Sequence, residues 1–484
     1  MTEPTLPKSF RKLLSEENTS ALMRVMDAYP MPSVGMGIGK DAQQLYDGMN
    51  HVDNVPSELY ERYDVKRGLR NADGSGVLVG LTTVSRVHGY NKIDGKVVPD
   101  EGSLTLRGYD MADLVAGAQA ERRFGYEEVA YLLIAGSLPT QAQLDDFRAR
   151  VGSRRQLPEG YLSIFPRTTY SLSIMNVLQR ATLLLYAFDP TPDDTRPIHE
   201  VDVALSLLGR WPRVASVAHA AYAAKQEDRK LLVPPAREDY SVAESILDVL
   251  RGDEGFTRDE ALLLDVMLML HAEHGGGNNS TFTTRVLSSS GTDAYSAYAA
   301  ALGSLKGPKH GGANYKAGEM IDDIAAHVEH WDSDDEIASY LEKILHREAF
   351  DRAGLIYGLG HAVYTVTDPR AEIVKRYAAR LASERDQMGK LELIKSVERL
   401  GPQVMRDVRG ITKPISTNID MYTGFVYEML GIPHDLFTPI FAIARMAGWA
   451  AHRMEELYGS ARIIRPAYNS IMDSETYVPL GDRR

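Results

Sequence analysis

The sequence has no cysteine among its 484 residues. Disulfide bonds, thiolate metal ligands and a cysteine nucleophile are therefore excluded, and chemistry must come from His, Asp, Glu, Arg, Lys, Ser or Tyr. The chain also lacks an apolar run of roughly 18 residues or more, the length that crosses a bilayer. Its start, "MTEPTLPKSFRKLL", does not have the pattern of a secretion signal, so we expect a cytoplasmic protein.

The chain has fewer basic than acidic residues. The chain has 54 Lys and Arg residues against 66 Asp and Glu residues, which gives a net charge of -12. This balance argues against nucleic-acid binding, because such binding needs a basic surface that displaces counterions from phosphates. A small anionic ligand stays possible, but a local cluster of arginines would have to hold it against the overall negative field. Arginines in unexpected places are therefore informative.

Strand patterns are also scarce, and helical periodicity predicts an all-α fold. The exception is "GKVVPDEGSLTLRGYD" (95–110), where Leu104 and Leu106 alternate with polar residues, which predicts a small β-hairpin. The segments with helical periodicity include "FRKLLSEENTSALMRVMDAY" (10–29), "GYEEVAYLLIAG" (125–136), "VDVALSLLGRWPRVASVAHAAYAAK" (201–225) and "SVAESILDVLRG" (241–252).

Two histidines close a further predicted helix. Thr257 and Glu260 form a capping-box pattern ahead of "ALLLDVMLMLHAEH", and the run "GGG" after it predicts the helix end. His271 and His274 would then share a face on the last turn. With Glu273 they suggest a metal hydrolase, although the spacing is not that of the known zinc motifs. The simpler interpretation is that both histidines interact with the helix dipole.

Two more histidines lie in glycine-flanked turns. His310 sits in "GPKHGGAN", directly before a predicted helix, and His361 sits in "GLGHAVY". A helix N-terminus would keep His310 neutral, so that its N–H could donate to an oxygen that develops negative charge. A histidine that only caps its own turn is equally consistent with the spacing.

Three arginines and one aspartate also stand out. Arg370 opens a predicted helix, where its charge opposes the dipole unless an anion is near, although Asp368 or Glu372 could pair with it in solvent. Arg445 lies in an apolar helical stripe and needs a partner such as a carboxylate. Arg465, near the C-terminus, is a weaker candidate. Asp420 starts a predicted helix as an ordinary first-turn residue would, and it could act as a base only if an apolar pocket raised its pKa.

Six motifs in this order resemble those of the citrate synthase family: "LHAEHGGGN", "GPKHGGAN", "GLGHAVY" followed by "DPR", "NIDMYTG", "FAIARMAGWAAH" and "RIIRPAYN". The resemblance runs from about residue 80 to the "RPAY" near the end. It implies an all-α homodimer with two domains that close over the substrates. It also implies an N-terminal extension (1–75) of unknown role, a large domain (76–312 and 433–484) and a small domain (313–432).

The family condenses acetyl-CoA with oxaloacetate and then hydrolyses citryl-CoA to citrate, with acetyl-CoA as co-substrate, no permanently bound cofactor and no metal. Carried over, Asp420 would remove a proton from the acyl methyl group while His310 stabilises the enolate. His361 would polarise the ketone of oxaloacetate, and His274 would help to bind it. The substrate carboxylates would be held by Arg370, Arg445 and, from the neighbouring subunit, Arg465.

Some expectations remain open at this stage. Lys413 matches a family position near the coenzyme A phosphates, but Thr365 stands where some relatives have Arg or Lys. The run "GGGNNSTF" also resembles 2-methylcitrate synthases, so propionyl-CoA is an alternative acyl donor. One extra methylene discriminates by only about 1–3 kcal/mol in an apolar pocket. A non-catalytic helical scaffold, with its arginines in ordinary ion pairs, is the alternative outside enzymes.

Overall fold

A computed structural model describes residues 40–48, 55–71, 73–161, 173–226, 233–411, 413–459 and 462–483. Within these ranges the chain forms seventeen α-helices and one small antiparallel sheet, so the predicted all-α fold with a hairpin is confirmed. No helix in the same ranges combines the length and the apolar character that crossing a bilayer requires.

The helices are numbered here in chain order. The predicted helices at 125–136, 201–225 and 241–252 correspond to α4, α7 and α8, whereas the one at 10–29 lies outside the described residues. The helices are α1 (Lys40–Asp47), α2 (Ser57–Arg62), α3 (Met111–Ala120), α4 (Tyr126–Ala135), α5 (Gln141–Ser153), α6 (Ile174–Leu185), α7 (Pro197–Gln226), α8 (Val242–Arg251), α9 (Arg258–His271), α10 (Asn279–Ser288), α11 (Ala294–Leu305), α12 (Gly312–His327), α13 (Asp334–Leu345), α14 (Pro369–Glu384), α15 (Met388–Arg409), α16 (Asp420–Met429) and α17 (Phe437–Gly459). Short 3-10 helices are formed by Arg67–Leu69, Tyr186–Phe188, Gly252–Glu254, His434–Leu436 and Leu480–Asp482.

The chain divides into two units, Met1–Gly68 and Leu69–Arg484. In the first unit, the described residues include α1 and α2, and the rest of the predicted extension lies largely outside the described residues. The second unit contains the sheet and all the other α-helices. The further division into a large and a small domain, with boundaries at 313 and 433, stays a prediction.

The sheet has three strands in sequence order: β1 (Ser85–Ile93), β2 (Lys96–Leu106) and β3 (Tyr109–Asp110). Each connection is a two-residue turn. Asp94 and Gly95 have φ values of 50° and 75°, and Arg107 and Gly108 have φ values of 48° and 92°. Two consecutive residues with positive φ are typical of the type I′ turn, whose twist matches that of the strands. The "DG" and "RG" pairs therefore account for both hairpins.

Helix α17 lies in the core and carries Arg445. Its side chains are buried almost continuously over its first four turns. Trp211 of α7 packs edge-on against Trp449, with ring centroids 6.1 Å apart. The Tyr126 hydroxyl of α4 lies 3.0 Å from the carbonyl oxygens of Ile443 and Ala444, to which it donates. Contacts from several helices thus fix the backbone on which Arg445 stands.

Candidate active site

The turn after α9 differs from the prediction. The capping box at the start of α9 is present, but the helix ends at His271, so His274 does not share a helix face with it. Side chains form hydrogen bonds with backbone N–H and carbonyl groups that a longer helix would have paired with each other. Glu273 accepts the N–H of Gly275 at 2.6 Å, and the Asn278 amide donates to the His274 carbonyl at 3.3 Å. Gly275 has a φ of 85°, a left-handed conformation that glycine adopts without strain.

His271 and Glu273 face separate partners. His271 is fully buried, its Nδ1 lies 2.8 Å from a backbone carbonyl one turn earlier, and burial lowers its pKa to about 3. The Glu273 carboxylate accepts from Ser85 Oγ and lies 2.8 Å from His452 Nε2. His271, Glu273 and His274 therefore do not converge on one metal ion, as the metal-hydrolase alternative would require.

A different group of potential metal ligands is brought together in the described part of the chain. One ligand atom from each of Asp322, Glu428 and His434 lies within 4.8 Å of the others. However, the Lys390 amino group is 2.6 Å from both carboxylates. This lysine already supplies the positive charge, so the group is an ion-pair cluster and was not part of the predicted site.

His361 is held in one tautomer by its own loop. Its Nδ1 accepts the backbone N–H groups of Val363 and Tyr364, each at 3.0 Å. Because Nδ1 is an acceptor, the proton of the neutral ring must be on Nε2. Burial and the charge of Arg370 lower the pKa of His361 to about 4. The ring is therefore neutral at pH 7 and presents an Nε2–H donor.

Tyr364 connects this histidine to His274. The tyrosine ring stacks on His361 with centroids 4.6 Å apart, and its hydroxyl lies 3.2 Å from His274 Nε2. The two imidazoles are 5.0 Å apart and nearly perpendicular. Burial and Arg370 hold the pKa of His274 well below its usual value. Tyr364 was not among the predicted residues, although its place three residues after the histidine of "GHAVY" was a usable signal.

His310 lies just before α12, as predicted. Its Nε2 accepts the backbone N–H of Ser280 at 3.3 Å and lies 2.9 Å from the Ser280 hydroxyl, to which Trp449 Nε1 donates at 3.2 Å. The ring proton is therefore on Nδ1. Burial and Arg445 lower the pKa of His310 to about 3, so this ring too is a neutral donor. Ser280 was also missed, and its signal was the capping residue Asn278 two positions earlier.

Arg370 is the second helical residue of α14, and it has a counter-ion within the protein. Its Nε lies 3.1 Å and its Nη2 2.8 Å from the two carboxylate oxygens of Asp368, and both residues are buried. The alternative that Asp368 pairs with this arginine is therefore confirmed, but the pair is buried and not in solvent as that alternative expected. The same aspartate caps the helix, so one carboxylate serves both purposes. Nη1 has no hydrogen-bond partner among the described residues.

Arg445 is different, because no carboxylate of the described residues reaches ion-pairing distance. The side chain is 1% exposed, its Nε donates to the His271 carbonyl at 2.7 Å, and it stands 4.7 Å from the centroid of the Phe441 ring. Burial lowers its pKa to about 10, so it is still charged at pH 7. A buried cation without an anion is unfavourable. This arrangement indicates a site that an anionic ligand completes.

Asp420 is the first residue of α16. Its backbone N–H donates to the Asn418 amide oxygen at 3.0 Å, and its Oδ1 is buried without a hydrogen-bond partner among the described residues. Burial raises the pKa of this carboxyl to about 7, although the charges of Arg370 and Arg445 act to lower it. A carboxyl with a pKa close to 7 suits proton transfer at neutral pH. Burial thus raises the pKa in the direction that the base hypothesis requires, and the role of Asp420 as a base stays a prediction.

Two predicted residues do not join this buried group. Arg465 is exposed, in the segment without regular secondary structure that follows α17. Lys413 is also exposed, and its amino group donates to the Asp73 carbonyl at 2.9 Å. The structure thus brings together His274, His310, His361, Arg370, Asp420 and Arg445, whose charges act on one another's pKa values.

Sequence comparison gives a family match over most of the chain. Residues 73–467 match the model described as citrate synthase, C-terminal domain. The chain is 33% identical to 2-methylcitrate synthase 1 of Corynebacterium glutamicum over 425 residues, which cover 87% of this chain and 98% of that protein. It is 35% identical to citrate synthase 2 of Bacillus subtilis over 388 residues, which cover 79% of this chain and 94% of that protein.

Structure comparison agrees with the sequence match. The model is similar to the Thermoplasma acidophilum citrate synthase in its ternary complex with carboxymethyl coenzyme A and oxaloacetate, with a TM-score of 0.70 and 25% identity. That match covers 87% of this chain and 99% of the other. Citrate synthase of Thermotoga maritima gives a TM-score of 0.67 at 27% identity, covering 87% of this chain and 99% of the other.

Proposed function

Because the chain belongs to the citrate synthase family, whose members are acyltransferases that convert the acyl group into an alkyl group on transfer, we propose that it condenses acetyl-CoA with oxaloacetate and water to give citrate and CoA. The observation that carries this proposal is the Asp420 carboxyl, whose Oδ1 is buried and whose pKa is raised by burial to about 7, while the charges of Arg370 and Arg445 act on it. Such a group can remove a proton beside a bound dianion.

The acyl side of the site is defined here as Asp420, His310 and Ser280. Asp420 takes a proton from the methyl group of the thioester, and His310 donates its Nδ1–H to the enolate oxygen that forms. Ser280 supports this role because its backbone N–H donates to His310 Nε2, so the ring proton of His310 is on Nδ1. Each such proton transfer or donor contributes roughly 10²- to 10⁴-fold, and a weak carbon acid needs both.

The diacid side is defined as His274, His361, Tyr364, Arg370 and Arg445. His361 donates its Nε2–H to the ketone oxygen of oxaloacetate, and His274 helps to bind the same molecule. Arg445, which has no ion-paired carboxylate among the described residues, binds one carboxylate of oxaloacetate. Arg370 contributes Nη1, because its Nε and Nη2 already bond to Asp368. The ketone carbon, polarised in this way, accepts the enolate, and water then hydrolyses the thioester.

The remaining assignments are part of the same proposal. Arg465 reaches the diacid of a neighbouring subunit in a homodimer with shared sites, which agrees with its exposed place on a segment outside the helices. Lys413 lies near the phosphates of the coenzyme. The small domain (313–432) closes over the substrates, which excludes water before condensation. The protein works in the cytoplasm and requires no permanently bound cofactor.

A 2-methylcitrate synthase that uses propionyl-CoA is the second candidate. The observation in its favour is the 33% identity to 2-methylcitrate synthase 1 of Corynebacterium glutamicum over 98% of that protein. It needs the same acid–base chemistry and differs only in one methylene of the acyl donor, so the buried charges do not discriminate between the two.

The test is a thiol-release assay with oxaloacetate and each acyl-CoA. We expect a higher kcat/KM with acetyl-CoA than with propionyl-CoA. The reverse order would reassign the chain to 2-methylcitrate synthesis. Absence of thiol release with either donor, together with no rise in Tm when oxaloacetate is added, would favour a non-catalytic scaffold.

A further inference from the structure

We propose that the β1–β2 hairpin is a positioning element for His361, and that Gly89 and Thr365 are its positioning residues. This inference rests on the proposed function, because it concerns the histidine that polarises the ketone. None of the roles assigned to the acyl side or the diacid side uses the hairpin. Its contacts nevertheless converge on one loop, residues 361–370.

The hairpin is irregular where it meets this loop. His88 pairs with Ser103, but Tyr90 pairs with Pro99. One residue of β1 and three residues of β2 therefore lie between these pairs, and Gly89 is the residue on the β1 side. Such interruptions of a ladder bend a strand and are frequent beside functional sites.

The closest approach is at Gly89. A Cβ at this position would lie 2.6 Å from the carbonyl oxygen of Val363 and 2.7 Å from the Cα of Tyr364. Only a residue without a side chain fits there. In addition, the Thr365 hydroxyl donates to the Gly89 carbonyl. The hairpin backbone thus touches the two residues whose N–H groups hold His361 Nδ1.

A second approach lies on β2. A Cβ at Gly102 would be 2.0 Å from the Thr367 carbonyl oxygen. The Gly102 N–H donates to the Thr367 hydroxyl at 3.2 Å, and this hydroxyl donates to Glu101 at 2.6 Å. Both ends of the segment from Val363 to Thr367 are therefore fixed on the same irregular part of the sheet.

The other face of the loop contacts the segment that leads into Asp420. Gly360 N–H donates to the Ser416 carbonyl at 2.7 Å, and the Ser416 hydroxyl donates to the Tyr364 carbonyl at 3.0 Å. The loop is held between two backbones, so loss of the hairpin contact would leave it supported on the Ser416 side alone and free to shift. Such a shift would move the N–H groups off Nδ1 and release the tautomer of His361.

The experiment compares variants that disturb this contact with variants that do not. Thr365→Val removes the hydroxyl at nearly constant volume, Thr365→Ser retains it, and Gly89→Ala inserts a methyl group where no space exists. Gly95→Ala is the matched control, because it strains the turn at the hairpin tip, with a φ of 75°, but its Cβ would meet no atom within 4 Å. His361→Ala is measured beside them, and thiol release gives kcat and both KM values.

We expect Thr365→Val to lower kcat/KM for oxaloacetate about five- to tenfold, and Thr365→Ser to restore it, because one hydrogen bond is lost and regained. Gly89→Ala should lower it roughly 10- to 100-fold, as a small displacement of a catalytic group does. The KM for acetyl-CoA should change less than about twofold in both variants. Gly95→Ala should lower Tm and leave the kinetic constants unchanged.

Two outcomes would overturn the inference: Thr365→Val with wild-type constants, or Gly95→Ala with the same kinetic loss as Thr365→Val, which would indicate a general effect of hairpin stability. Thr365→Val keeps the test decisive if Gly89→Ala does not fold. Retained turnover in His361→Ala would instead contradict the proposed role of His361. The failure of the two proposals is therefore distinguishable.

Discussion

Two groups of the diacid side, His361 and Arg370, are held differently from Asp420 on the acyl side. On the diacid side, two backbone N–H groups donate to His361 Nδ1, and Arg370 donates to both carboxylate oxygens of Asp368. On the acyl side, Asp420 has one carboxylate oxygen buried without a partner in the described part of the chain. Hydrogen bonds to the charged form would lower the pKa of a carboxyl. The contrast teaches that hydrogen bonds fix His361 and Arg370, whereas the proposed base lacks one at Oδ1, and burial outweighs the charges of Arg370 and Arg445 in setting its pKa.

Replacing the base should give the largest effect. We expect Asp420→Asn to lower kcat roughly 10³-fold or more, because an amide cannot take the methyl proton. Oxaloacetate should still raise Tm, since the diacid side is unchanged. A turnover near that of the wild type in the thiol-release assay would show that the base has been misassigned and would remove the contrast between the two sides.

The His310→Ala variant should lose about 10²- to 10³-fold in kcat, because the enolate oxygen loses its donor. Ser280→Ala is the matched variant, since it removes the hydroxyl but keeps the backbone N–H on Nε2. We expect it to lose much less. Equal losses in the two variants would mean that the hydroxyl, and not the N–H, sets the tautomer.

On the diacid side, Arg445→Leu should raise the KM for oxaloacetate roughly 30-fold or more, as loss of one partner of a buried charge pair does. Arg445→Lys should give a KM for oxaloacetate between those of the wild type and Arg445→Leu, since lysine keeps the charge but lacks the planar guanidinium. Thiol release at varied oxaloacetate measures both. An unchanged KM in Arg445→Leu would mean that the buried cation serves the fold alone.

A smaller effect concerns pH. The base must be ionised, and burial raises the pKa of Asp420 to about 7, so kcat/KM for the acyl-CoA should rise about tenfold per unit up to pH 7 and then level off. His310 and His361 have pKa values of about 3 and about 4, so they stay neutral and do not limit this range. A flat profile from about pH 5 to pH 8 would contradict the raised pKa.

The smallest expected effect is on stability. The folded pKa of Asp420 is raised, so the folded state loses stability as pH rises from the unfolded value of 3.8 to about 7, because the unfolded chain releases this proton in that range while the folded chain keeps it. Asp420→Asn removes this cost. Its Tm without ligands should therefore exceed that of the wild type at pH 8 and should match it more closely at pH 5. A larger gain in Tm at pH 5 than at pH 8 would contradict the raised pKa of Asp420.

Local signals in the sequence predicted several features correctly. The alternation of Leu104 and Leu106 with polar residues predicts the small hairpin, and an arginine in an apolar stripe indicates a buried cation, since each signal depends on a few neighbouring residues. The end of α9 was mispredicted because distant groups decide it: Ser85 bonds to Glu273 from 188 positions away. Similarly, the contact of Ser280 with His310 arises only when α10 and the turn before α12 pack together. The residue roles themselves stay predictions.

Strand β1 is anchored at two nearby points. Ser85 Oγ donates to Glu273 at 2.8 Å, next to His274, and Gly89 abuts the Val363 and Tyr364 backbone. Four residues of extended chain span at most about 13 Å, so this strand is a short tether between the turn that bears His274 and the loop that bears His361. We therefore expect the proposed closure of the small domain to pivot close to this strand, because the two segments cannot slide past each other without breaking its contacts.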